Sequence, residues 1–370
     1  MVTKVNDICE VMEKLAPQKL AEEWDNVGLM LGSTDWPAAK VMLALDLTEE
    51  VASQAYAQKV DMIITHHPFF FSPLKKLVYN EGKNSLVYEL IRNKIAVYSA
   101  HTNLDSAKGG VNDVLADVLG LKQTEILKPV FCDKYYKLVV FVPLTHVDDV
   151  LSALSRAGVG HIGNYADCAY VMEGEGQFRP LPGSNPFLGQ LGTLEKTREK
   201  RIEILLKKSE LQKAIKAVLD AHPYEEPAYD ILETVNERPE FGLGRIGFLE
   251  EPVSMGEFVK SLKKALAINH VIVADAGKPV YKVAVCGGSG TDFIAEALKA
   301  GADTFVTGDV KYHVAQEALN AGINLIDAGH QTSEMPVLIK LQKELEDWAS
   351  SNNRAIKVFR AVESKVLQHL

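Results

Sequence analysis

The stretch MIITHHP, residues 62–68, decides how the fold is read. Its first four residues form a run too short for a helix, of the kind shown by a strand buried on both faces of a parallel sheet. Two adjacent imidazoles stand at the end of that run, and Pro68 favours an extended or turning backbone just before it. Outward from this point, helix-like VASQAYAQKV (51–60) leads in, and IAVYSA (95–100) reads as a second buried strand that ends at His101. The same progression recurs late in the chain. FIAEALKAGA (293–302) leads into TFVT (304–307), and INLIDA (323–328) precedes His330. Each half reads as a helix, a short buried strand ending in Thr, then a second buried strand ending in a small residue and a histidine. His101 and His330 match on this alignment, and four residues beyond each stands a carboxylate, Asp105 or Glu334. The repeat implies an α/β fold of two related halves whose strand ends meet at a shared cleft.

Between the halves the pattern changes. YKLVVFVP (136–143) reads as a strand and HVDDVLSALSRAG (146–158) as an amphipathic helix. CAYVMEG (168–174) and RIEILLKK (201–208) read as strands, SELQKAIKAVLDAH (209–222) as a helix and AYDILETV (228–235) as a last strand. That order, βαββαβ, is the split unit of ferredoxin-like (α+β) folds. QFRPLPGSNPFLGQLG (177–192) is an irregular excursion inside it. The expected organisation is a discontinuous metal-binding core, residues 1–130 and 238–370, with an inserted domain at 131–237.

At 370 residues the chain exceeds what one hydrophobic core usually serves, which agrees with two domains. The N-terminal sequence lacks the apolar run and cleavage site of a signal peptide, and no later stretch is long and apolar enough for a membrane span. Cys9, Cys132, Cys168 and Cys286 lie far apart with no CxxC pair, which argues against a disulfide framework or a thiolate zinc site. A cytoplasmic protein is expected, with no membrane partner. The net charge of −9 argues against broad binding to a nucleic-acid backbone.

His66, His67, Asp105, His330 and Glu334 are the candidate metal ligands. Adjacent imidazoles at a strand end can diverge toward two neighbouring ions. A separation of four, as between His330 and Glu334, puts two side chains on one face of a helical turn. Ions about 3.5–4 Å apart need a shared ligand, and Glu334 at a helix start is the candidate bridge. With one bridging carboxylate, five side chains supply about three protein bonds per ion and leave room for water or substrate. Catalysis would then rest on a metal-bound water, and no protein side chain is singled out as catalytic. Nitrogen and oxygen donors suit zinc, iron or manganese, as well as cobalt and nickel. His101 is read as supporting a ligand by hydrogen bonding, with direct binding as the alternative.

Five separated motifs resemble the NIF-three-like family, also called GTP cyclohydrolase 1 type 2 homologs. They are AEEWDNVGLMLG (21–32), ITHHPFFF (64–71), SAHTNLDSAKGGVND (99–113), VAVCGGSGTDFI (283–294) and DAGHQTSE (327–334). The resemblance covers nearly the whole chain. It implies two divalent metal ions held by His66, His67, Asp105, His330 and Glu334, and a toroidal homohexamer. HPYEEPAYD (222–230) makes the middle block similar to the CutA and nitrogen-regulator folds found as inserts in longer members.

Several features stay open or bland. WDNVG (24–28) either lines the cleft or packs as a turn, and CGGSG (286–290) is read as a tight turn before an anion loop. Lys108, Gly109 and Gly110 could approach a phosphate, although a loop lysine is ordinarily just solvated. His146, His161, His222, His270, His313 and His369 have no paired ligand partner and are read as structural or surface residues. The functional expectation is a metal-dependent hydrolase on a nucleotide-like or phosphorylated small molecule. The alternative is a non-enzymatic metal-binding scaffold or regulator with a ligand-sensing insert.

Overall fold

The computed structural model describes residues 2–79, 83–132, 134–235 and 239–367, so His369 and the expected boundary at 237 and 238 lie outside the described residues. The chain is a mixed α/β protein that divides into two compact units, one of Met1–Phe131 with Glu240–Leu370 and one of Cys132–Pro239. Among the described residues no helix is long and apolar enough to cross a membrane.

The larger unit holds two sheets. The first has the order β1 (Gly28–Leu31), β4 (Ala96–Ser99), β3 (Met62–Thr65), β2 (Lys40–Ala44) and β15 (Lys357–Arg360). Its strands are parallel except β1, which runs antiparallel to β4. Every residue of β3 and β4 is buried, as a parallel sheet covered on both faces requires. Alternation sends Met62, Ile64, Ala96 and Tyr98 into one core with the helices Val5–Leu15 and Pro336–Ser351. Ile63 and Val97 go to the other core, with Glu49–Gln58 and Lys83–Arg92.

The second sheet has the order β11 (Ile272–Ala274), β14 (Asn324–Asp327), β13 (Thr304–Thr307), β12 (Val280–Val285), β10 (Pro239–Val253) and β5 (Lys122–Cys132). β12, β13 and β14 are parallel, and β11 runs antiparallel to β14. β11-β14-β13-β12 therefore repeats β1-β4-β3-β2. Small details repeat as well. Asp61 accepts from Lys40 N–H and Asp303 from Lys282 N–H, while the two lysine ammonium groups cap the carbonyls of Gln58 and Ala300. Phe305 and Leu325 face the core beneath the helices Ile294–Lys299 and Tyr312–Ala321. Burying each such large apolar side chain contributes roughly 1.5–3 kcal/mol.

The smaller unit is a four-stranded antiparallel sheet in the order β7 (Tyr170–Phe178), β8 (Glu195–Lys207), β6 (Tyr135–Pro143) and β9 (Tyr229–Glu233). The helices Val147–Arg156 and Leu211–Ala221 cover one face through Val150, Leu154, Ala214 and Val218. β8 begins at Glu195, six residues before the strand expected at RIEILLKK. That added stretch is polar and carries no hydrophobic alternation. Its backbone pairs with β7, with cross-strand charges beside the ladder, Lys196 on Glu175 and both Arg198 and Lys200 on Glu173.

Candidate metal centre

The parallel strands bring their C-terminal ends together at one edge of each sheet. His66 and His67 leave β3, with their amides donating to Ala44 O and Leu45 O at the end of β2. Asp105 sits in the short helix Thr102–Ser106 that follows β4. His330 and Glu334 are the first and last residues of the helix His330–Glu334 that follows β14. The five predicted side chains converge. Glu334, only 3% exposed, places Oε1 3.5 Å from His66 Nε2 and 3.3 Å from His330 Nε2, and Oε2 3.2 Å from His67 Nε2. Asp105 Oδ1 lies 3.6 Å from His66 Nε2, and the Nε2 atoms of His67 and His330 are 3.2 Å apart.

All four imidazoles of the cluster, His101 included, are held in the same way. Nδ1 of His66 meets Ala100 O at 2.8 Å, that of His67 meets Asp46 at 3.0 Å, that of His101 meets Asp25 at 2.9 Å and that of His330 meets Asp309 at 2.7 Å. A carbonyl or carboxylate on Nδ1 fixes the tautomer and leaves Nε2 as a free lone pair. His66 Nε2, Asp105 Oδ1 and Glu334 Oε2 are buried without a hydrogen bond. Each unbonded buried polar atom costs roughly 1–3 kcal/mol, and three such atoms from three different side chains lie together here, an arrangement that could hold a cation. Ligand atoms of His66, His67 and His101 lie within 4.8 Å of one another, and so do those of His67, His330 and Glu334.

The electrostatics agree. Burial opposes an imidazolium at His67, yet the facing carboxylates of Asp46 and Glu334 outweigh it and raise the ring to about 10. The facing Glu334 carboxylate raises His330 to about 9 against the effect of burial. Glu334 is held well below the usual carboxylate range, because the surrounding histidines overcome its desolvation. A proton and a metal ion would compete for these Nε2 positions. The donor set of imidazole and carboxylate fits a borderline or hard divalent ion.

The walls explain several motifs. A side chain at Gly288 would strike the Glu334 carboxylate, and one at Gly287 would lie 2.7 Å from Val111, so CGGSG is a close-approach turn against Glu334. Asn112 ties the Asp105 loop to this turn, donating to Asp105 O and accepting from Gly287 N–H, both at 3.0 Å. Gly110 presses against Leu104 O and Gly109 N–H donates to Asp113, while Lys108 is exposed, so only the end of this loop is packed. WDNVG lies at the cleft: Asp25 holds His101, Asn26 donates to Phe70 O, and Trp24 is exposed with its ring 6.0 Å from His101.

One reading of the residues changes. The bonds Ala100 N–H to Thr65 O and Ala328 N–H to Thr307 O align Ala100 with Ala328, which sets Gly329 opposite His101 and moves His330 one place along. The halves are thus related in backbone but not in ligand position. Periodicity missed the carboxylates behind the histidines, Asp46 and Asp309. Their available signal was position, since each follows a buried strand at the same sheet edge as the histidine it holds. His222, expected to be structural, is that: Nε2 meets Phe141 O and Nδ1 accepts from Tyr224 N–H.

A family profile described as Duf34/NIF3 (NGG1p interacting factor 3) matches residues 3–365. The chain is 43% identical over 344 residues to a GTP cyclohydrolase 1 type 2 homolog of Halalkalibacterium halodurans, covering 92% of each chain. It is also 43% identical over 338 residues to a protein of that name from Bacillus subtilis, covering 90% of this chain and 91% of the relative. Among solved structures it is similar to a Bacillus cereus protein related to NIF3, at 39% identity and a TM-score of 0.87 over 100% of both chains.

Proposed function

The chain belongs to the Duf34/NIF3 family, and from that premise we propose that it binds two divalent metal ions and acts as a metal-dependent hydrolase on a nucleotide-like or phosphorylated small molecule. One observation carries this reading: His66, His67 and His330, each with Nδ1 engaged, bring Nε2 to within 3.2–3.6 Å of the carboxylates of Asp105 and Glu334. His67 and His330 with Glu334 form one ligand set, and His66 and Asp105 with Glu334 form the other. Glu334 would be the shared ligand, because its two oxygens reach nitrogens of both sets. His101 stands among the ligands with Asp25 behind it, which favours direct binding over the supporting role. Zinc, iron and manganese all suit the donors.

Bound ions would supply Lewis acidity and an activated water. The chain's own residues fix the ring orientations, keep Glu334 ionised and bury one side of the cluster. Beside His67 opens a cavity of about 550 Å³ whose size suits a small molecule; its lining sets Asp46, Glu49, Glu50 and Glu363 against Lys83, so an anionic ligand there would depend on bound cations. The relatives' name points to GTP, but no group in this cavity selects guanine. The test is metal analysis of the purified chain, followed by turnover on a panel of nucleotides and phosphoesters. Activity that survives Glu334→Gln undiminished would remove the hydrolase reading.

The second reading, a metal-binding scaffold or regulator with a ligand-sensing insert, is favoured by a cavity of about 830 Å³ in the smaller unit. Phe141, Phe178, Phe187 and Tyr224 line it together with Glu199 and Arg201. Metal binding without turnover on any substrate of the panel would select this reading. The strand order β7-β8-β6-β9 with two helices on one face supports taking residues 131–237 as a ferredoxin-like insert in a core of 1–130 and 238–370. Exposed Trp24, Phe71, Leu74, Leu77 and Tyr79 support self-association, proposed here as a toroidal homohexamer in the cytoplasm. Light scattering of the purified chain checks the assembly.

A further inference from the structure

The segment after β15 does not leave the fold. Ala361 N–H donates to Leu43 O, and the Gln54 side chain binds the Val362 backbone in both directions, at 2.6 and 2.9 Å. Ser364 binds Glu50 through both its N–H and its hydroxyl. Between these ties, Glu363 accepts the N–H of Leu45 on Oε1 at 2.7 Å and that of Asp46 on Oε2 at 2.9 Å. Asp46 in turn faces His67 Nδ1 at 3.0 Å. A connection thus runs from a carboxylate near the C-terminal end, through two successive amides at the end of β2, to the imidazole that touches Glu334.

We propose that Glu363 is a positioning residue for the candidate metal centre: it orients Asp46, and through Asp46 it sets the His67 ring so that Nε2 faces Glu334. The inference rests on the reading of His67 as a metal ligand. A carboxylate that takes two consecutive amides bidentately makes charge-assisted bonds and leaves their peptide planes little freedom. Asp46 is 45% exposed at its side chain, so the backbone beneath it has a large share in where its carboxylate lies. Glu363 and Ser364 also line the cavity of about 550 Å³ that contains Asp46 and His67. The tail is therefore a wall of the same site that its glutamate organises. Glu363 lies 318 residues from Leu45 and 317 from Asp46, which hides the link from any local reading of the sequence.

The alternative is that Glu363 only pins the tail. Zinc affinity, measured by competition against a chromophoric chelator on the full chain, separates the two. Glu363→Ala and Asp46→Ala should each weaken zinc binding about tenfold or more, the range for groups that orient a ligand. The double variant should bind as Asp46→Ala alone does, because one acts through the other. Glu363→Gln, which keeps one acceptor oxygen, should fall between wild type and Glu363→Ala, and it carries the test if Glu363→Ala does not fold. Unchanged affinity in the folded Glu363 variants overturns the proposal, and so do losses that simply multiply in the double variant. Glu334→Ala in the same assay keeps the two claims apart. If it binds zinc like wild type, the metal reading itself fails; if it alone weakens binding, only the role of Glu363 fails.

Discussion

Replacing Glu334 with Ala should empty the centre more completely than any other single ligand change, and the geometry says by how much. Glu334 approaches three imidazole nitrogens at 3.2 to 3.5 Å, drawn from both ligand sets, whereas Asp105 approaches only His66, at 3.6 Å. Losing a group that merely orients a ligand costs 10- to 100-fold in metal affinity, or about 1.4–2.8 kcal/mol. That is a floor for losing a ligand itself. Asp105→Ala removes one such bond, from one ion. Glu334→Ala removes one from each ion, so the floor doubles to about 2.8–5.6 kcal/mol, and the cations also lose their shared negative charge. After dialysis against a weak chelator, Asp105→Ala should keep about one ion per subunit and Glu334→Ala close to none, as read by elemental mass spectrometry. Thermal melts of the metal-free proteins check that both variants are folded. Equal loss, or greater loss in Asp105→Ala, would mean that the bridge is assigned to the wrong carboxylate.

Three further outcomes follow from the same coordinates. Gly288→Ala puts a methyl group into the Glu334 carboxylate at a backbone φ of +65° and should lower metal content, whereas Gly109→Ala, at φ +74° with nothing within 4 Å, should leave it intact despite similar strain; equal metal content in the two would refute the steric argument. Because β5 and β10 are sheet neighbours, replacing residues 132–236 by a short linker should give a folded chain that still binds metal, and insoluble or metal-free protein counts against a separable insert. Burial pushes His222 below its ordinary value of 6.5 despite its bond to Phe141 O, so the unfolded chain takes up more protons there. Its contribution to stability is fully present above about 6.5 and is lost as pH falls toward the lower folded value. The melting temperature should therefore drop more between pH 7.5 and 5.5 in wild type than in His222→Asn, and parallel slopes would exclude this linkage.

Much of the architecture could be read from residue order because its signals are local. A buried run such as MIIT has one stable use, inside a covered sheet, and its recurrence as TFVT announces a second sheet of the same kind. Ligand types were legible for the same reason, since a histidine at a strand end or a carboxylate one helical turn from another donor is a short-range pattern. What local pattern could not supply was anything held by partners distant in the chain. β8 begins six residues early because its backbone pairs with β7 along that stretch, with charge pairs beside the ladder. The off-by-one relation of His101 to His330 appears only in backbone pairing, for a shift of one residue leaves the hydrophobic pattern of either half unchanged. Asp46, Asp309 and Glu363 look like ordinary solvated acids along the chain; they acquire a role only when the fold sets Asp46 and Asp309 behind particular imidazoles and Glu363 on the amides that lead into Asp46. Sequence alone thus picked out which side chains the two strand ends would bring together, through periodicities of two and of about four residues. Only the tertiary structure decided how each ring is turned, because a hydrogen bond between residues hundreds apart leaves no trace in either neighbourhood.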